Sequence, residues 1–99
     1  MDTVKSHPVF SSPDFSVTPA ELRQLFGRRD SPLVVDLRRL PRFQESPRLL
    51  PTARYCQPDK LTEFAAQHQP QAAVVYCVYG HEVSQHSAAW LRAQGWDAR

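Results

Sequence analysis

The stretch that most restricts the fold spans residues 72–95, AAVVYCVYGHEVSQHSAAWLRAQG. Ala73-Val74-Val75-Tyr76 is an apolar, β-branched run of strand length, and it stops at Cys77. Gly80 punctuates a short polar loop, and from Ser84 the pattern turns helical. Ser84 suits an N-cap, Ala88 and Leu91 recur at helical spacing, and Gly95 suits a C-terminal stop. A thiol therefore stands where a strand ends and a helix begins. Backbone N–H groups at a helix N-terminus lack partners, and the helix dipole adds partial positive charge, so a thiol there is drawn toward thiolate, the attacking form. Consecutive N–H groups in the loop can also cradle an anion, and Gly80 frees the backbone to curl around one. The alternative is that Cys77 is only a small buried apolar residue.

In chain order, residues 1–14 carry His7-Pro8 and Ser11-Ser12-Pro13 and read as an irregular lead-in, with a short edge strand near Val9-Phe10. Residues 15–99 read as one domain, opening on a brief strand at 15–17. Thr18-Pro19-Ala20-Glu21 is a helix start: Thr18 as N-cap, Pro19 at the first helical position, Glu21 closing a capping box. Leu22, Leu25 and Phe26 then share a face, and Gly27 stops the helix. Residues 33–37 are apolar except at Asp36, as in a strand covered on both faces. Pro41 and Pro47 limit any helix between them to a turn around Phe43. A short strand is expected at 53–56, and Pro58-Asp59 opens a helix that aligns Leu61, Phe64, Ala65 and His68. Strand and helix alternate, which predicts a parallel sheet with helices on both faces. Ligands of such sheets sit at the carboxyl ends of the strands, where Cys77, Asp36 and Arg38 fall.

Composition narrows the function classes. Ninety-nine residues with 41% apolar and 22% charged side chains describe one ordinary globular domain. No run reaches membrane-spanning length and no signal pattern opens the chain, so no membrane partner is expected and the default compartment is the cytoplasm. A net charge of +2, scattered along the chain, argues against nucleic acid as a partner. Cys56 and Cys77 have no Cys-x-x-Cys spacing, and His7, His68 and His86 are dispersed; no metal or cofactor is expected. A disulfide between the two cysteines stays open, although a reducing cytoplasm disfavours it.

The segment VVYCVYGHEVSQ followed by AAWLRAQGW resembles the active-site segment of the rhodanese-like domains, single-cysteine sulfurtransferases that carry a persulfide. Val34-Val35-Asp36-Leu37-Arg38 is similar to the family's strand ending in Asp-x-Arg. Leu50-Pro51-Thr52-Ala53 stands where the family usually shows an Ile-Pro-Gly-Ala turn. The resemblance covers roughly 15–99 and implies a doubly wound, mostly parallel sheet of about five strands with helices on both faces; of the final strand and helix that usually follow the active-site helix only Trp96-Asp97-Ala98 is expected to begin here, as in a C-terminal truncation or a fragment of a longer polypeptide.

The resemblance also implies roles. Cys77 would take sulfur from a small-molecule sulfane donor such as thiosulfate and pass it to a thiol or cyanide acceptor. Val78, Tyr79, Gly80, His81, Glu82 and Val83 would form the N–H cradle leading to Ser84, with the side chains of His81 and Glu82 expected to face solvent and a polar contact to the donor as the other reading of His81. Arg38 and Arg42 would draw anions to the mouth, while Asp36, with Arg38, would fix the loop by hydrogen bonds. Cys56 is expected to be structural. The loop is one residue longer than the short family form, like that of phosphatase and arsenate-reductase relatives, but Val83 replaces the arginine that clamps the oxyanion there. It is also similar to the loop of rhodanese modules in chromate-resistance proteins. The alternatives are thus a non-catalytic or regulatory module that binds an oxyanion, a further domain or a protein partner, and an arsenate reductase or phosphatase.

Overall fold

The computed structural model describes residues 16–77 and 82–99. The lead-in at 1–14, Phe15, Val78, Tyr79, Gly80 and His81 lie outside them. The elements are α1 (Pro19–Leu25), β1 (Leu33–Asp36), α2 (Leu40–Glu45), β2 (Arg54–Tyr55), a 3₁₀ turn (Pro58–Lys60), α3 (Leu61–Ala66), β3 (Ala72–Tyr76), α4 (Glu82–Ala93) and β4 (Asp97–Ala98).

Local chemistry starts and stops the helices. At α1 the Thr18 N–H donates to Glu21 Oε1 at 2.8 Å, and the Glu21 N–H donates back to Thr18 Oγ1 at 3.1 Å. This reciprocal box satisfies two donors that a helix start leaves open. At the end of α4, Gly95 adopts φ +95°, which a side chain disfavours. The Trp96 N–H donates to the Leu91 carbonyl at 3.0 Å and the Gly95 N–H to that of Arg92 at 3.0 Å. Leu91 and Trp96 share the core beneath this cap, the pairing that completes a Schellman ending.

The sheet is wholly parallel, in the order β2-β1-β3-β4. It has four strands among the described residues, against about five expected. The brief strand expected at 15–17 is not formed by Ser16 or Val17; Val17 instead packs beside α1. Alternation along the strands divides the core between two faces. Val34 and Val74 meet Leu22 and Leu25 of α1 on one. On the other, Val35, Ala73 and Val75 meet Leu61 of α3 and Ala88 and Leu91 of α4. Helices therefore cover both faces, as a doubly wound sheet requires. Burial of each large aliphatic side chain is worth about 1.5–3 kcal/mol.

Chain direction fixes where a site can form. From β1 the chain moves outward to β2, then returns across β1 to β3. The order reverses between β1 and β3, and a crevice opens at the carboxyl ends of those two strands.

Candidate active site

Three residues cross this carboxyl edge in one row: Asp36 of β1 is in register with Tyr55 of β2 and Tyr76 of β3. Asp36 is fully buried. Its carboxylate accepts from the Arg38 N–H and Nε, each at 3.0 Å to Oδ1, and Arg38 NH2 lies 2.7 Å from Oδ2. Arg38 turns its remaining donors to the carbonyls of Ser46 at 2.7 Å and Arg48 at 2.9 Å. The hydrogen bond to Asp36 holds the guanidinium pKa above its ordinary value. Arg38 thus spends its fork on the β1–β2 connection, and its role is to position that segment with Asp36.

Aromatic packing completes the brace. Phe43 stacks on Tyr55 with centroids 3.9 Å apart, and the Arg38 guanidinium carbon lies 5.1 Å from the Phe43 centroid. The Tyr55 hydroxyl donates to the Arg38 carbonyl at 2.8 Å, and the Leu50 N–H donates to the Tyr76 hydroxyl at 3.2 Å. Burial raises the pKa of both tyrosines. Leu50-Pro51-Thr52-Ala53 is a tight turn closed by the Ala53 N–H on the Leu50 carbonyl at 3.0 Å, and Thr52 sits at φ +64°.

Cys77 directly follows β3 and is half-buried. It lines a cavity of about 1040 Å³ shared by α1, the turn at Leu50 and Pro51, the end of β3 and one side of α4. Ser84 lines the same cavity but is not the N-cap expected of it: α4 begins at Glu82, so Ser84 lies buried inside the first turn. Val83 explains the earlier start, because as part of the helix its side chain packs against the core cluster. The side chain at the position of a phosphatase's clamp therefore faces the core. Arg42, on α2, is exposed and 3.3 Å from Glu45, and it does not line the cavity. The cradle assigned to Val78, Tyr79, Gly80 and His81 lies outside the described residues.

Cys56 is a different thiol. It is buried, and its Sγ donates to the Gln57 carbonyl at 3.3 Å. Burial pushes its pKa up, helped by the carboxylates of Asp59 and Glu63. Both cysteines are free. They follow Tyr55 and Tyr76, which pair with Asp36 from opposite sides, so their backbones stand two strand spacings apart. That is about 10 Å, beyond the roughly 7 Å that a disulfide spans.

Sequence reasoning missed Tyr55 and Tyr76 as braces and the α1 face as a cavity wall. The apolar face of Leu22, Leu25 and Phe26 was visible, but nothing local distinguishes a wall from a core. Among the described residues no helix is long and apolar enough to cross a membrane.

A parallel α/β sheet with a half-buried cysteine at its switch point defines the class. Among solved structures the chain is similar to a rhodanese-like domain protein from Staphylococcus aureus, with TM-score 0.66 and 20% identity over 80% of this chain and 76% of that one. It is also similar to a rhodanese homolog from Thermus thermophilus, with TM-score 0.58 and 27% identity over 81% of this chain and 84% of that one. No protein-family model matches the sequence, and no curated protein matches it. The chain has the fold of a rhodanese-like domain.

Proposed function

We propose that the protein is a sulfurtransferase that carries sulfur on Cys77. The Cys77 thiolate attacks the outer sulfur of a sulfane donor such as thiosulfate. A new S–S bond forms, the donor's S–S bond breaks, and sulfite leaves with the electron pair. A thiol or cyanide acceptor then attacks the outer sulfur of the persulfide, and the pair returns to Cys77. In this reading residues 78–81 and the start of α4 supply N–H groups that favour the thiolate and the persulfide anion.

The observation that carries the reading is the contrast between the thiols: Cys77 opens on a cavity at the switch point, while Cys56 is buried and tied to Gln57. Phosphatase or arsenate-reductase chemistry is less well supported, because Val83 packs inward where such a site needs a cation over the transferring group. A reducing, cytoplasmic setting fits two thiols too far apart to pair.

Intact-mass analysis after incubation with thiosulfate tests the proposal. The protein is expected to gain one sulfur atom, to lose it to cyanide, and to gain none as Cys77→Ser, with negligible hydrolysis of an aryl phosphate throughout. Absence of the adduct from the wild-type protein would refute sulfur transfer and favour a non-catalytic module that binds an oxyanion or a partner.

A further inference from the structure

The surface of the chain is uneven in one place. Among the described residues three large apolar side chains are exposed, Leu40 at 38%, Leu49 at 41% and Leu50 at 41%, and all three fall in the connection between β1 and β2. The same stretch carries the charge. Residues 39–50 hold Arg39, Arg42 and Arg48 against Glu45, a formal +2 that equals the net charge of the whole chain, so the cations and anions outside it balance. Arg42 lies 3.3 Å from Glu45. Arg39 and Arg48 are exposed, and neither meets a carboxylate among the described residues. Exposed arginines are well solvated, but three leucines gathered in water carry a transfer cost that a covering surface recovers.

The backbone gathers these residues and holds them still. The Arg38 guanidinium, buried beside Asp36, takes the carbonyls of Ser46 at 2.7 Å and Arg48 at 2.9 Å. The far end of the connection is thereby drawn to the residue that precedes Arg39. The Leu50 N–H donates to the Tyr76 hydroxyl at 3.2 Å, and Phe43 of α2 stacks on Tyr55. Pro41 and Pro47 fix φ within the segment. A surface already ordered in this way gives up little entropy when a partner binds. Leu50 also lines the cavity that Cys77 lines, so an occupant of the patch sits at the mouth of that cavity.

We propose that the β1–β2 connection is a docking surface for an acidic segment of a partner protein, one that sets large apolar side chains among its carboxylates. Leu40, Leu49 and Leu50 receive the apolar groups, and Arg39 and Arg48 take the carboxylates, which match the fork of a guanidinium. Nucleic acid fits less well. Two such cations are few for a phosphate backbone, and the exposed apolar groups are aliphatic, whereas bases stack on aromatic rings. Docking of this kind needs no reaction at Cys77 and so holds with or without sulfur transfer.

Amide chemical-shift mapping of the whole chain tests this. The probe is a soluble synthetic peptide with leucines spaced among Asp, Glu and Ser; one relative has Lys for every acid, and another has Ser for every leucine. The acidic, leucine-bearing peptide is expected to shift the amides of Arg39, Leu40, Arg48 and Leu49. It should bind about fivefold or more tightly than either relative, the effect of one exposed ion pair at the upper end of its range. Arg48→Glu is expected to weaken that binding by a similar factor, and Leu40→Ser/Leu49→Ser to abolish the shifts. Arg29→Glu makes the same charge change at the amino end of β1 and is expected to leave binding unchanged. All four positions are exposed, and an unchanged Tm shows that each variant folds. Equal binding of the three peptides, shifts confined to another face, or equal losses in Arg48→Glu and Arg29→Glu would overturn the proposal. Tighter binding of a polythymidine strand or of phosphatidylserine vesicles than of the peptide would overturn it as well, in favour of a general polyanion surface.

Discussion

Thr52 is placed to give a stabilising substitution. It holds φ +64° as the third residue of the Leu50-Pro51-Thr52-Ala53 turn, whose closing hydrogen bond is 3.0 Å. With Pro51 ahead of it, this is the position at which a type II turn favours glycine. For an L-residue the left-handed conformation costs roughly 1–2 kcal/mol, and a β-branched side chain is among the least suited to it. Thr52 is exposed, so its side chain returns little packing energy. In Thr52→Gly the strain disappears, while the unfolded chain gains freedom worth about 0.5–1 kcal/mol. The net gain is about 0.5–1 kcal/mol, or roughly 2–8 °C in Tm for a domain of this size. Thr52→Ala keeps the unfavourable φ and is expected to stay within about 0.5 kcal/mol of wild type. Urea unfolding followed by circular dichroism reads all three, with the midpoint moving at constant m. A glycine variant no more stable than the alanine variant would refute the strain argument.

Arg38→Met is expected to cost about 3–5 kcal/mol by leaving the buried Asp36 carboxylate without its guanidinium, and Asp36→Leu/Arg38→Met to recover part of that loss; a single-variant cost below about 1 kcal/mol in urea unfolding would show the pair to be dispensable. Stability is expected to fall at alkaline pH. Burial raises the Cys56 pKa above its ordinary 9.0, so the folded chain keeps a proton that the unfolded chain releases. That contribution is full below pH 9.0, is lost as pH rises through the folded value, and should vanish from the pH dependence of Tm in Cys56→Ala. Iodoacetamide at neutral pH is expected to label Cys77 well before Cys56, as peptide mapping would show; faster labelling of Cys56 would reverse the assignment of the nucleophile.

Much of the fold is legible because its signals are local. The capping box at Thr18, the stop at Gly95 and the apolar runs of β1 and β3 each act within a few residues, and each forms as read. The start of α4 is not local. Ser84 carries the better capping side chain, but burying Val83 against the core draws the helix three residues earlier, from Gln85 to Glu82. Ser16 and Val17 likewise follow a strand-like pattern, yet Val17 finds its burial beside α1 without joining the sheet. Arg38 shows the same limit at the site: its sequence position suggests hydrogen bonds that fix a loop but does not name their partners. The carbonyls of Ser46 and Arg48, brought back by the β1–β2 connection, are those partners.

The two cysteines show how one sheet makes two unlike thiols from similar positions. Each follows a tyrosine in register with Asp36, one on either side of β1. The chain after Cys56 turns directly into the 3₁₀ turn, and Asp59 and Glu63 follow close by. Those carboxylates and the surrounding burial both disfavour a negative sulfur. Cys77 instead precedes α4, which starts at Glu82 and has 12 residues, with its N-terminal end toward that edge of the sheet. Strand order adds to the contrast. Among the described residues β2 is the outer strand, one strand removed from the reversal point, whereas β3 adjoins β1 where the crevice opens. A nucleophile moved to position 56 would therefore meet burial and negative charge together. A swap that places serine at 77 and keeps Cys56 is expected to carry no sulfur, although it retains a thiol at the same level of the sheet.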